Sequence, residues 1–133
     1  MSELIPLHAV AVVDDEPLIT ALLGTVLQSL DHSVKGFGSA AEVLMYPHLA
    51  QFQTIFLDLT LPDMQGLELV DAVARAAPQA HLVIFSGHDR SVLNKAKWHA
   101  RLCGVARCSV LSKPFTRDEV LQVLQAPPAT KPA

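Results

Sequence analysis

Apolar positions along this chain fall into two alternating patterns. Five short segments of strand length occupy residues 8–13, 33–37, 54–57, 81–85 and 108–111, and all but the second are mostly apolar. Longer segments place apolar residues at helical spacing over residues 17–30, 39–45, 67–77, 89–103 and 116–125. Near-continuous apolar strands that alternate with helices are typical of a parallel sheet covered on both faces. The pattern therefore predicts an α/β fold of (βα)5 type.

Cap and turn residues set the expected ends of several helices. Pro17 suits a first helical turn. Ser39, with Glu42 three residues later, predicts a capping box at the start of the second helix. Gly104 follows the fourth helix, where a residue free to adopt positive φ commonly ends a helix.

The length of the chain fits a single domain. Half of its 133 residues are apolar, which is enough to bury a core without disulfides or a structural metal. We expect the domain to span residues 1–125. Residues 126–133 contain three prolines and no apolar face, and they are predicted to form a Pro/Ala-rich linker or tail.

Composition excludes several classes of function. A net charge of -3 and a pI near 6.0 give no basic surface for direct binding to nucleic acid. Cys103 and Cys108 lack Cys-x-x-Cys or Cys/His ligand spacing, so we interpret both as small buried hydrophobic residues. The apolar run at residues 4–13 is too short to span a membrane and no basic segment precedes it, which predicts a cytoplasmic location.

Chemically active side chains lie at the ends of the predicted strands. Asp14 and Asp15 follow the first strand, Asp58 ends the third, Ser86 ends the fourth and Lys113 follows the fifth. In a flavodoxin-like doubly wound sheet of order 2-1-3-4-5, the first and third strands are neighbours where strand order reverses, which is where ligands bind. The three carboxylates should therefore converge at one edge of a five-stranded parallel sheet.

Three carboxylates close together require a neutralising cation. Oxygen ligands and room for water favour Mg²⁺. With the metal in place, one carboxylate can attack phosphorus and form an aspartyl phosphate, and the central position of Asp58 makes it the best candidate. Lys113 and the Ser86 hydroxyl would contact phosphoryl oxygens.

Four motifs, taken in order, resemble the receiver domain of two-component response regulators. They are Val12-Val13-Asp14-Asp15-Glu16-Pro17, Phe56-Leu57-Asp58-Leu59-Thr60-Leu61-Pro62-Asp63-Met64-Gln65-Gly66, Ser86-Gly87 and Lys113-Pro114-Phe115. The resemblance covers residues 8–125, nearly the whole chain.

The resemblance implies a role for each of these residues. Asp58 would take a phosphoryl group from a histidine kinase or phosphotransfer protein, and Lys113 would contact that group. Asp14 or Asp15, with Asp58 and the Thr60 backbone carbonyl, would hold Mg²⁺. The domain would act as a phosphorylation-dependent signalling switch that catalyses only its own phosphorylation and dephosphorylation.

Other family features concern the residues around the phosphoryl site. In the family the hydroxyl matching Ser86 moves toward the phosphoryl group, and the bond matching Lys113-Pro114 is often cis. Residues matching Thr60 and His88 tune dephosphorylation. Glu16 would be an outer contact of the site.

Two features distinguish this chain within the family. Val110 occupies the position three residues before Lys113, where receivers commonly carry the aromatic residue that reports phosphorylation. Residues 86–115 resemble receivers that are joined to EAL-type cyclic-di-GMP phosphodiesterase domains, which implies such an output domain.

Several alternatives remain open at the level of sequence. Asp14 and Asp15 could simply cap the first helix, and Ser86 could cap the fourth. A haloacid-dehalogenase-like phosphohydrolase also uses an aspartate nucleophile and Mg²⁺, but it needs a second aspartate where Thr60 stands. A pseudo-receiver that binds partners without phosphorylation, or a flavodoxin-like cofactor binder, is a third hypothesis.

The fourth helix is predicted to carry a partner surface. Helical spacing assigns Val92, Leu93, Ala96, Ala100 and Cys103 to its buried face. Trp98 and Leu102 would then point outward. Such an apolar pair favours contact with an output domain or a second copy through the face formed by helix 4, strand 5 and helix 5.

Overall fold

The computed structural model describes residues 9–87 and 90–125. Its strands are β1 (Ala9–Val13), β2 (Ser33–Phe37), β3 (Thr54–Asp58), β4 (His81–Ser86) and β5 (Arg107–Ser112). Its helices are α1 (Pro17–Gln28), α2 (Ala40–Met45), α3 (Gly66–Ala76), α4 (Arg90–Leu102) and α5 (Arg117–Leu124). The predicted tail and the predicted start of the fourth helix at Asp89 lie outside the described residues.

The strands form one parallel five-stranded sheet of order β2-β1-β3-β4-β5. The predicted flavodoxin-like doubly wound fold is therefore confirmed. In this order β1 and β3 are direct neighbours, with Val13 opposite Leu57. The residues that follow them, Asp14 and Asp58, consequently meet at the carboxyl edge of the sheet, at the point where the strand order reverses.

The core consists of two apolar layers, one on each face of the sheet. Val12, Phe56 and Phe85 pack with residues of α1 and α5 on one face. Val13 and Leu57 pack with residues of α2, α3 and α4 on the other. Neighbouring strand residues point to opposite faces, so a strand covered on both sides must be apolar throughout. This explains the continuous apolar runs in the sequence.

Some predicted helix ends shift by one or two residues. The first helix ends at Gln28 rather than at residue 30, because Asp31 adopts a positive φ of 65° and the His32 amide turns back to the Leu27 carbonyl at 3.0 Å. A short 3-10 helix, Leu49–Gln51, was not predicted. Gly104 follows α4 with a φ of 100°, which confirms the predicted glycine stop.

The predicted capping box of the second helix forms only in part. The Ser39 hydroxyl accepts from the Glu42 amide at 3.1 Å, but the Glu42 carboxylate accepts from Gly38 at 3.3 Å instead of from Ser39. A complete capping box, with both reciprocal bonds, stands at Thr116 and Glu119 at the start of α5.

The prediction for the surface of α4 is right except at its margins. Leu93, Ala96 and Ala100 are buried, while Trp98 and Leu102 are 65% and 82% exposed, as expected. Val92, by contrast, is 39% exposed, so its assignment to the buried face is wrong. Cys103 is only half-buried, although Cys108 is buried as predicted. Val92 lies at the edge of the helix stripe, where a turn of 100° per residue places it beside solvent.

No helix in the part of the chain that the structure describes is both long enough and apolar enough to cross a bilayer.

The start of β4 supports a prediction about acid stability. His81 is buried beside Arg107, and its Nε2 lies 2.8 Å from Ser109 Oγ. Burial, and then the Arg107 charge, lower the pKa of His81 from 6.5 to about 4. Between these values the unfolded chain binds a proton that the folded chain does not, so stability falls as pH falls from 6.5 to 4, by up to roughly 3 kcal/mol.

The variant His81→Gln keeps a hydrogen-bonding side chain but removes the titration. We expect its free energy of unfolding in urea to fall less than that of the wild type between pH 7 and pH 4.5. Titration of carboxylates is common to both proteins and cancels in the comparison. Parallel pH profiles for the two proteins would contradict the prediction.

Candidate functional site

Three carboxylates meet at the carboxyl edge of the sheet. One carboxylate oxygen from each of Asp14, Asp15 and Asp58 lies within 4.8 Å of the other two. Asp14 and Asp58 are buried, and Asp15 is exposed. The cluster predicted from the strand ends is therefore present, and it opens to solvent on the Asp15 side.

Asp58 ends β3 with its two oxygens in different environments. Oδ1 accepts hydrogen bonds from the Thr60 amide at 3.0 Å and from the Thr60 hydroxyl at 2.8 Å. Oδ2 lies 3.5 Å from Lys113 Nζ, a long contact. The Thr60 bonds fix the rotation of the carboxylate and leave Oδ2 as the less engaged oxygen.

The Lys113 ammonium links the acidic residues. Its Nζ lies 3.1 Å from Asp14 Oδ2, 3.1 Å from Glu16 Oε1 and 3.5 Å from Asp58 Oδ2. Burial lowers the pKa of Lys113, but the contacts with Asp14 and Glu16 and the Asp58 charge outweigh it, so the pKa is raised overall. Lys113 is therefore a fixed positive charge. The peptide bond between Lys113 and Pro114 is cis, as the resemblance implies.

Asp14 does not act as a cap for the first helix. The residue at the N-cap of α1 is Glu16, and no side-chain cap bond forms there. Asp14 Oδ1 instead accepts from the Glu16 amide at 2.8 Å. The pKa of Asp14 is raised overall, chiefly by burial and also by the nearby Asp58 charge. The Glu16 amide and Lys113 lower this pKa but do not outweigh burial.

The arrangement fits a hard divalent cation. Asp14 Oδ2 is buried and faces the Lys113 ammonium at 3.1 Å, but it accepts no well-aligned hydrogen bond from the described part of the chain. The donors of the cluster are all carboxylate oxygens, and two of the three carboxylates, those of Asp14 and Asp58, contact the Lys113 ammonium. Mg²⁺ prefers oxygen donors of this kind and retains waters on its open side, here the side of Asp15.

Ser86 and Lys113 are joined through the backbone. Ser86 is fully buried at the end of β4, and its carbonyl accepts from the Lys113 amide at 2.9 Å.

Val110 is half-buried and packs against the core layer of α2, α3 and α4. His88 lies outside the described residues. Metal binding by the Thr60 carbonyl stays a prediction.

Several contacts of the site were not predicted. The Thr60 hydroxyl bond to Asp58 and the direct Glu16–Lys113 contact are two of them. Asp63, which the sequence placed only within the second motif, accepts from the Ala40 and Ala41 amides at 3.1 and 3.0 Å. The β3–α3 loop thereby caps α2, and these two amides lower the pKa of Asp63.

Gly66 keeps the loop after Asp58 tightly packed, which leads to a prediction. A Cβ at Gly66 would lie 2.7 Å from the Leu59 carbonyl oxygen, next to Asp58 and Thr60. We expect Gly66→Ala to lower the free energy of unfolding by about 1–3 kcal/mol, because backbone must move. Gly24→Ala is the matched control: apart from the adjoining backbone of α1, no described atom lies within 4 Å of the added Cβ, so alanine should stabilise α1 by about 0.5–1 kcal/mol. Equal effects in chemical denaturation would contradict this account.

The fold and the site together define a class of protein. The class is flavodoxin-like α/β domains that carry an acidic site, paired with a lysine, where the strand order reverses. Residues 10–125 match the response regulator receiver domain family. The chain belongs to that family.

Individual relatives agree with this assignment. The chain is 34% identical over 122 residues to the nitrogen assimilation regulatory protein NtrX of Azorhizobium caulinodans, covering 89% of this chain and 25% of NtrX. It is 30% identical to the transcriptional regulatory protein GlrR of Escherichia coli, covering 94% of this chain and 28% of GlrR. The chain thus spans about a quarter of the length of these relatives.

Solved structures show the same fold. A response regulator from Colwellia psychrerythraea superposes with a TM-score of 0.75 at 31% identity, covering 89% of this chain and 94% of that one. A response regulator from Burkholderia pseudomallei, solved with a phosphorylated aspartic acid, a calcium ion and citrate, gives a TM-score of 0.73 at 23% identity. The match covers 88% of this chain and 66% of that one.

Proposed function

We propose that this receiver domain accepts a phosphoryl group on Asp58 and acts as a phosphorylation-dependent switch. The observation that carries the proposal is the asymmetry of the Asp58 carboxylate. Thr60 holds Oδ1 through two hydrogen bonds, while Oδ2 has, among the described residues, a single long contact with Lys113. Oδ2 is thus the oriented, less engaged oxygen that a nucleophile requires.

The proposed transfer forms one bond and breaks another. Asp58 Oδ2 attacks phosphorus, and the bond from phosphorus to the leaving group breaks: a nitrogen of a phosphohistidine in a kinase or phosphotransfer protein, or an oxygen of a small acyl phosphate. Asp14, Asp15, Asp58 and the Thr60 carbonyl would hold Mg²⁺, and the bound ion would supply positive charge to the phosphoryl oxygens. Lys113 would add a second positive charge, since its ammonium already contacts Asp14 and Asp58.

Phosphorylation would change the partners of Lys113 and Ser86. The ammonium now contacts Asp14, Glu16 and Asp58, and a phosphoryl group on Asp58 offers it a stronger anion. We expect the Ser86 hydroxyl to donate to the same group. Because the Ser86 carbonyl bonds the Lys113 amide, the ends of β4 and β5 would respond together.

The test is phosphoryl uptake from acetyl phosphate. We expect intact-protein mass spectrometry to show one added phosphate in the presence of Mg²⁺ and none with a chelator. Borohydride reduction followed by peptide mapping should place the acyl phosphate on Asp58. Failure of uptake from acetyl phosphate, phosphoramidate and a phosphorylated phosphotransfer protein alike would overturn the proposal.

The face formed by α4, β5 and α5 would be the surface that contacts the partner after phosphorylation. Exposed Trp98 and Leu102 on α4 favour contact there with an output domain or a second copy. The relatives NtrX and GlrR are named as regulatory proteins, and the latter as a transcriptional one. They favour a transcriptional output over the EAL-type phosphodiesterase that residues 86–115 suggest. The proposed exchange with a histidine kinase assigns the domain to the cytoplasm.

A further inference from the structure

A second cluster of metal-binding side chains lies away from the phosphoryl site, between α3 and α4. Asp71 comes from α3, His99 from the last turn of α4, and Cys103 directly follows α4. His99 Nε2 and Cys103 Sγ each lie 3.2 Å from the same oxygen, Asp71 Oδ1. The three ligand atoms lie within 4.8 Å of one another. The cluster shares no residue with the site around Asp58.

The spacing of these atoms matches a tetrahedral zinc site. Ligand bonds of about 2.0 to 2.3 Å place nitrogen and oxygen ligands about 3.3 Å apart and sulfur and oxygen ligands about 3.6 Å apart. The observed separations are 3.2 Å in both cases, and the third pair, His99 Nε2 and Cys103 Sγ, lies within 4.8 Å. The two distances to Asp71 Oδ1 are therefore within about half an ångström of those that a shared ion requires.

The surroundings orient the cluster and leave one side open. Arg75 Nε donates to the other oxygen, Asp71 Oδ2, at 3.0 Å, which turns Oδ1 toward His99 and Cys103. On the outer side, a groove of about 410 Å³ is lined by Met64, Leu67, Glu68, Asp71 and His99. The cluster thus has three protein ligands and access for a fourth.

We propose that Asp71, His99 and Cys103 bind Zn²⁺, with the fourth ligand a water or the Glu68 carboxylate. A mixed set of carboxylate, imidazole and thiolate suits this borderline-soft metal and not Mg²⁺ or Ca²⁺. On binding, the Cys103 thiol loses its proton to solvent, and the Asp71 contacts made by the thiol and the imidazole are replaced by bonds to the ion. The ion would link α3 to the end of α4.

Cobalt reports on the thiolate directly. Titration of the full chain with Co²⁺, in buffer containing excess Mg²⁺ to occupy the acidic site, should produce a near-ultraviolet thiolate-to-cobalt absorption band that Zn²⁺ removes. The band should vanish in Cys103→Ser and persist in Cys108→Ser, which is the matched control because Cys108 is the other free cysteine. Absence of the band in the wild type, or its persistence in Cys103→Ser, would overturn the proposal.

A second variant, His99→Gln, tests the site independently in case Cys103→Ser does not fold. His99→Gln should retain the circular dichroism spectrum of the wild type and weaken Zn²⁺ binding at least tenfold in calorimetry. Zn²⁺ should also raise the Tm of the wild type by several degrees at a concentration a hundredfold above its Kd, and raise that of His99→Gln less. Asp58→Asn should bind Zn²⁺ as the wild type does. Unchanged affinity in His99→Gln, or loss of affinity in Asp58→Asn, would refute binding at this cluster.

Discussion

Asp58→Asn is expected to take up no phosphoryl group from acetyl phosphate under conditions that label the wild type. The amide has nearly the shape of the carboxylate, and its oxygen can still accept from the Thr60 amide and hydroxyl. It lacks the negative charge that makes Oδ2 a nucleophile. The expected change is therefore a loss of chemistry without a loss of fold, which circular dichroism would verify.

The same substitution should weaken the metal site. Removing one of three clustered charges leaves Asp14 and Asp15 as the remaining carboxylates. We expect the Mg²⁺ affinity, measured by calorimetry, to fall by at least about tenfold. Asp118→Asn, on the first turn of α5, controls for the loss of a carboxylate elsewhere. Labelling that survives in Asp58→Asn, or affinity that falls equally in Asp118→Asn, would contradict the assignment.

The sheet was predictable because burial imposes a simple pattern. A strand covered on both faces must be largely apolar, and β3 shows this from Ile55 to Leu57 with Asp58 at its end. Helix ends were less predictable, since local backbone geometry decides them. The positive φ of Asp31 ends α1 early, and aspartate at that position gives a weaker signal than glycine would.

The central site residues were predictable from their order along the chain. Asp14, Asp58 and Lys113 each follow or end a strand, so parallel topology brings them together. Which atom contacts which was not predictable. The Thr60 hydroxyl donates to Asp58, and Lys113 contacts Glu16, which is 97 residues away in the sequence. Both contacts depend on side-chain conformations that residue spacing does not predict.

The cluster around Asp71 was not predictable from residue spacing along the chain. Cys103 and Cys108 lack Cys-x-x-Cys or Cys/His ligand spacing relative to each other, so the sequence predicted small hydrophobic residues there and no metal site. His99 and Cys103 are four residues apart, a spacing that places them on one face of a helix. Their third partner, Asp71, lies on another helix, and only the packing of α3 against α4 brings it near.

Lys113→Met is expected to lower the free energy of unfolding by about 2–4 kcal/mol at neutral pH without Mg²⁺. Methionine retains much of the packing volume but removes the charge that faces Asp14 and Asp58, both of which are buried. The pKa of Asp14 is already raised by burial and should rise further in the variant. The penalty should therefore shrink as pH falls and Asp14 takes up a proton.

Mg²⁺ separates this electrostatic cause from a loss of packing. A divalent cation replaces the missing charge, so Mg²⁺ should raise the urea midpoint of Lys113→Met more than that of the wild type. Lys95→Met, at an exposed position of α4, is the control and should stay within about 0.5 kcal/mol of the wild type, with an unchanged response to Mg²⁺. If Mg²⁺ stabilised Lys113→Met no more than the wild type, the lysine would be holding the site by packing, and its proposed role as a fixed charge beside the phosphoryl group would fail.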